Sequence, residues 1–189
     1  MPKKKVLFEK DGFQDWKSLN DTIMGGKSVA ICENTNAGLL FKGNIVEKGG
    51  GFVSCRSSTY QPPLNLSEFD TFEINISGEG RKFKFAVACQ DDFLGLTEFI
   101  PGGLRWIKTF PTNKFGSTTV KISFNDLTPS IRANKVSFPF KFKPSKIKRL
   151  QLLHSKFGDE GKLNDNFKPG NIKILLKSIS VFLKTHQII

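Results

Sequence analysis

The sequence predicts an all-β fold, a sandwich or barrel of antiparallel sheets, on three observations. Apolar and polar residues alternate at period two through most of the chain, runs with a helical apolar stripe are nearly absent, and glycine, proline and asparagine clusters recur between the alternating runs. A βαβ rhythm would need helical stripes of about ten residues between strands, and none is present. Roughly eight to ten short strands at this spacing fit stacked antiparallel sheets.

In chain order, strands are expected at 27–33, 38–46 and 51–57, separated by Asn34-Thr35-Asn36 and Gly49-Gly50-Gly51. After Pro62-Pro63, residues 64–69 read as one short helical turn capped by Asn65 or Ser67. Thr71 to Ser77 turns Phe72, Ile74 and Ile76 to one face, and residues 82–90 do the same with Phe83, Phe85, Val87 and Cys89. The glycines of Gly78-Glu79-Gly80-Arg81 suit a tight turn, so this pair is expected to be a hairpin. Further strands follow at 104–110, 118–124, 147–154 and 172–183, with 128–145, rich in Pro and Lys, as a long surface connection.

A chain of 189 residues suits one domain, 1–189, because two ordinary cores would be cramped. Hydrophobic residues make up 38%, enough for a core. The 19 Phe against one Tyr and two Trp are aromatics of the dry, core-filling kind. No apolar run approaches the ~20 residues of a membrane span. After Met1-Pro2-Lys3-Lys4-Lys5 only Val6, Leu7 and Phe8 precede Glu9, too few for a signal peptide. A cytoplasmic protein, able to lie against a membrane, is the expectation. Cys32, Cys55 and Cys89 are odd in number and far apart with no C-x-x-C pair, which points to reduced thiols and no metal site.

Catalytic groups are scarce. Of the two histidines, His186 lies in the tail and His154 ends an alternating strand, where a hydrogen-bonded structural role outweighs that of a base. There is no Gly-x-Ser-x-Gly elbow, and the glycine run at 49–51 opens a strand, not the helix that a phosphate loop needs. Asp159, Glu160, Asn164, Asp165 and Asn166 have oxygens suited to calcium but lack EF-hand spacing, so a solvated loop is favoured. No catalytic residue, cofactor or small-molecule substrate is expected.

The net charge of +12 favours anionic partners. Only five of the 29 cationic residues are Arg, a mixture that reads as solvated surface. The basic and aromatic run 135–149 would suit single-stranded nucleic acid, but a strand with Phe inward and Lys outward is favoured. The most unusual stretch is Trp16-x-x-x-Asn20-Asp21-x-x-Met24-Gly25-Gly26-x-Ser28. As structure it is an elaborate loop closing a sandwich edge, with Trp16 and Met24 plugging the core. As function it is a partner contact.

That element, with Phe41-x-Gly43, Gly50-Gly51-Phe52-Val53-Ser54, Gly78-x-Gly80-Arg81, Trp106 ahead of Phe110-Pro111, and the run from Asn125 to Arg132, resembles the complex I intermediate-associated protein 30 family. So do Leu150-Gln151-Leu152-Leu153-x-Ser155-Lys156-Phe157 and the closing strand. The resemblance spans about residues 8–183, with a departure at Ala133, where it implies a glycine in many relatives. It implies a jelly-roll β-sandwich like galactose-binding domains and a non-catalytic assembly factor or chaperone for a respiratory or photosynthetic membrane complex. Its partners would be protein subunits of that complex, with an anionic membrane surface beside them. Contacts are expected in the loops around residues 20–28 and 101–106, at Trp16, Asn20, Asp21, Met24, Gly25, Gly26, Ser28 and Trp106, with Arg56, Arg81 and Arg132 as charged contacts. The alternatives are a carbohydrate-binding module on the same fold and an RNA-binding basic face.

Overall fold

The computed structural model describes residues 3–90, 103–132, 134–137, 140–158 and 161–184. Thirteen antiparallel strands are present among them: β1 (Lys4–Glu9), β2 (Lys17–Asn20), β3 (Val29–Thr35), β4 (Gly38–Ile45), β5 (Phe52–Arg56), β6 (Phe69–Ser77), β7 (Lys82–Cys89), β8 (Leu104–Pro111), β9 (Thr118–Ser123), β10 (Thr128–Ile131), β11 (Asn134–Lys135), β12 (Ile147–Ser155) and β13 (Gly170–Leu183). One sheet runs β3-β4-β13-β6-β9, with β1 also on β13, and the other runs β11-β10-β8-β7-β12-β5-β2. The fold is an all-β jelly roll.

Alternation builds the core. Phe41, Ile45, Phe72, Ile74, Ile76, Ile172 and Ile174 of one sheet meet Val53, Phe83, Phe85, Val87, Leu150 and Leu152 of the other, all almost wholly buried. β13 keeps this face despite broken periodicity. Its register against β6 shifts between Leu176 and Ser178, so Ile179 and Val181 turn inward after Leu176. A bulge inserts the one residue needed to restore phase.

Three expectations are corrected. β6 and β7 are not a hairpin: β6 pairs with β13 and β9, β7 with β12 and β8. The turn at 78–81 carries the chain between sheets, and Phe72 meets Phe85 edge-on across the core, ring centroids 5.0 Å apart. Both arrangements need the same alternation, so local pattern could not choose between them. Residues 64–69 do hold one short turn, closed by the Phe69 amide donating to the Leu66 carbonyl (3.0 Å). Leu64 bridges to Ile147 and the Asn65 side chain accepts from the Ser67 amide. Within 128–145 lie β10 and β11, and Phe142 packs against Trp106 and Phe124.

Finally, Cys32 and Cys55 are not free thiols. They form a disulfide tying β3 in one sheet to β5 in the other, Cα atoms 6.1 Å apart, a proximity that sequence separation does not reveal. Cys89 is free, and burial pushes its thiol up to about 12. A thiol so protonated is a poor nucleophile.

Candidate functional site

Asp21 organises the unusual loop. Its wholly buried carboxylate accepts from the Ser28 amide (2.9 Å) and hydroxyl (2.6 Å), and from the amides of Gly51 (2.7 Å) and Phe52 (3.3 Å). Burial alone would raise its pKa. The four donors outweigh that and hold the carboxylate below its ordinary 3.8. A side chain at Gly26 or Gly50 would overlap this carboxylate, which accounts for glycine at both positions. Gly25 closes the 3-10 turn 21–24 with φ +84°, the left-handed region that glycine favours. The Asn20 side chain donates to the Ala30 carbonyl (2.9 Å), joining β2 to β3. The sequence motif therefore clamps the β2–β3 loop to the β4–β5 loop.

The other expected contacts divide between core and surface. Trp16 is 4% exposed and packs edge-on against Phe13 and Phe8, plugging one end of the core. Met24 does not share that plug, being 67% exposed beside Ile23 at 63%. Trp106 is 5% exposed. Arg81 is buried and donates to the carbonyls of Lys168 and Asn171 (2.7 Å for the latter). It also lies 3.2 Å from Nε2 of His154.

Because a guanidinium only donates, Nε2 of His154 must be the acceptor, and Nδ1 carries the proton it gives to the Lys82 carbonyl (2.9 Å). Burial first, with Arg81 and Lys168 adding to it, lowers the imidazole to about 4. His154 is thus a neutral structural residue between the Phe83 and Phe167 rings. Asn164 donates to the Ser155 carbonyl, while Asp165 pairs with Lys82. Asp159, Glu160, His186 and Ala133 lie outside the described residues, as do Pro101 and Gly102 ahead of Trp106.

What remains is a groove of about 800 Å³ over the outer face of the second sheet. Outward residues of its strands line it: Arg56 on β5, Arg149, Gln151 and Leu153 on β12, Ala86 and Ala88 on β7, Arg105 and Ile107 on β8. Arg132, at φ +58° just after β10, and Met24 are also on it. Of the expected residues, then, Met24, Arg56 and Arg132 reach the groove. Arg105, within the expected 101–106 stretch, and Arg149, at the end of the basic run 135–149, are candidates that the sequence did not single out as charged contacts. The available signal was phase, since each precedes an inward residue, Trp106 or Leu150.

No Asp, Glu, Trp or Tyr is among the described residues lining the groove. Burial, then Arg149 and Arg56, hold the Arg105 guanidinium below its usual range. Among the described residues no group of three or more His, Cys, Asp or Glu could hold a metal ion, and no helix is long and apolar enough to cross a membrane.

The family model "Complex I intermediate-associated protein 30 (CIA30)" matches residues 6–175. The chain belongs to this family. No curated protein sequence matches it. Solved structures similar to it include a family 11 carbohydrate-binding module from a cellulosomal cellulase of Clostridium thermocellum, at TM-score 0.67 and 14% identity over 99% of both chains. The same organism's module in complex with a mixed-linked β-1,3-1,4 tetrasaccharide matches at TM-score 0.63 and 14% identity over 94% of both chains. A family 30 carbohydrate-binding module matches at TM-score 0.57 and 11% identity, over 99% of this chain and 91% of that one. At such identities these likenesses establish the jelly-roll architecture of the CIA30 chain.

Proposed function

We propose that this CIA30 chain acts as one β-sandwich domain, a non-catalytic, protein-binding assembly factor or chaperone for a respiratory or photosynthetic membrane complex. The family match over residues 6–175 carries the reading. The groove supports it, because the described lining residues combine arginines with an apolar floor and include no histidine or carboxylate to act as base or nucleophile. A cytoplasmic location, with contact to the anionic surface of the membrane that holds the client complex, belongs to the same proposal. Net charge of +12 would speed the approach to an acidic subunit face, and salt would weaken it. Affinity capture with the full chain from detergent-solubilised membranes tests it: subunits of one electron-transfer complex should be enriched at low salt and lost at high salt. Capture of no such subunit above an unrelated basic control would overturn the proposal.

A carbohydrate-binding role, the second reading, is favoured by the groove and by the likeness to modules such as the tetrasaccharide-bound one. Against it, Trp16 and Trp106 are buried, so neither offers a sugar a stacking platform. A glycan array read with the full chain decides it.

A further inference from the structure

Four of the chain's five arginines, Arg56, Arg105, Arg132 and Arg149, line one groove. Strand register places three of them in two adjacent rows. β12 sets Arg149 opposite Ala88 of β7, and Gln151 opposite both Ala86 of β7 and Arg56 of β5. β7 sets Ala86 opposite Ile107 and Val87 opposite Trp106 of β8, so continuing the register brings Ala88 to Arg105. One row therefore reads Arg149, Ala88, Arg105, and the next reads Arg56, Gln151, Ala86, Ile107.

Neighbouring strands lie about 4.8 Å apart, so Arg149 and Arg105 stand roughly 10 Å apart with only a methyl group between them. The floor is low there because the middle strand carries alanine, Ala88 and Ala86, in these two rows, with Lys84 in the row beyond. From Arg56 to Arg105 the span is three strand spacings, about 14 Å. It suits a chain whose same-face side chains recur every ~7 Å.

We infer that the groove holds an extended acidic segment of a protein partner, its carboxylates on Arg149, Arg105 and Arg56 and its apolar side chains over Ala86, Ala88 and Ile107. The inference rests on the assembly-factor reading in naming a protein as the partner. Arginine fits carboxylates with paired, parallel hydrogen bonds. Three like charges on one face with no carboxylate among the described lining residues are an arrangement that an anionic partner relieves. Single-stranded nucleic acid would need exposed rings. Of the rings described in the groove, Phe157 is exposed and Phe52 half-buried, which leaves one open stacking platform instead of a series, and Phe142 of the basic run is packed against Trp106 and Phe124. A flat lipid surface would not reach cations recessed in a groove. Exposed Ile23 and Met24 at its edge add apolar surface for the same segment.

The test measures binding of the full chain to a short peptide rich in glutamate and leucine, with both residue types on each face of the extended chain, its glutamine counterpart, a single-stranded RNA oligomer and phosphatidylglycerol vesicles. The glutamate peptide should bind at least about tenfold tighter than the glutamine one, and the double variant Arg105→Gln, Arg149→Gln should lose about tenfold or more. Lys42→Gln with Lys173→Gln, neighbours on the outer face of the other sheet, should change affinity by less than about twofold. Equal affinity for both peptides, an unaffected arginine double variant, or tighter arginine-dependent binding of RNA or vesicles would each overturn the inference. Affinity capture separates it from the assembly reading. If the arginine double variant captures complex subunits as well as the native chain does, the groove assignment falls and the assembly role stands. If the native chain captures none yet binds the glutamate peptide through these arginines, the reverse holds.

Discussion

Asp21 and Arg105 are both charged side chains drawn back from solvent, in surroundings of opposite kind. Asp21 takes four hydrogen bonds from groups within the chain, and two glycines make room for it. Arg105 donates to the carbonyl of Leu104, its own neighbour in sequence, and Arg149 and Arg56 press on it with like charge. The first charge is satisfied by the fold, and the second has one backbone acceptor and like-charged neighbours. A conspicuous motif of Asn, Asp, Gly and Ser thus marks a structural clamp. The less conspicuous arginines, on three strands and one turn, mark the surface proposed to meet a partner.

The largest expected effect falls on the clamp. Asp21→Ala leaves the Ser28, Gly51 and Phe52 amides without their acceptor, and should cost about 4 kcal/mol and lower Tm by roughly 10 °C. A variant with unchanged Tm in calorimetry would erase the contrast between the two regions. Next comes acid sensitivity. His154 titrates near 6.5 when unfolded and at about 4 when folded. The unfolded chain therefore takes up the proton first, so this contribution is whole above pH 6.5 and drains away as pH falls to about 4. The loss should be about 3 kcal/mol, read from denaturant unfolding across that window. Asp21, held below 3.8, loses its contribution only at still lower pH, as pH falls through its folded pKa. Stability that is level from pH 7 to 4 would mean that His154 is not kept neutral in the core. The smallest effect is at the groove: Arg149→Gln should change stability by less than about 0.5 kcal/mol, because a substitution there removes repulsion from Arg56 as well as a hydrogen bond to Thr59. A large loss would move Arg149 from the binding surface to the framework.

Much of the sandwich was legible. Phe72, Ile74 and Ile76, like Phe83, Phe85 and Val87, declare their inward face by alternation, and all six are buried. β1 and β2 were not, since Lys3, Lys4 and Lys5 hide the pattern of one and the other has only four residues. β10 carries Pro129, which argues against a strand, but its outer neighbour is the two-residue β11, near the sheet edge where proline is tolerated. In the site, Asn20, Asp21 and Ser28 stood out by residue type, and type alone does not say whether a polar group finds its partners within the chain.

Side-chain phase is a property of a few consecutive residues, so the sequence by itself determined which residues enter the core, and with that an antiparallel β architecture. Which strands become neighbours depends on contacts between distant segments, and no local pattern encodes them. Only the tertiary structure could send the turn at 78–81 from sheet to sheet and join Cys32 to Cys55. It alone laid β12 and β8 on either side of β7, which brings Arg149 and Arg105 together over a floor of alanines.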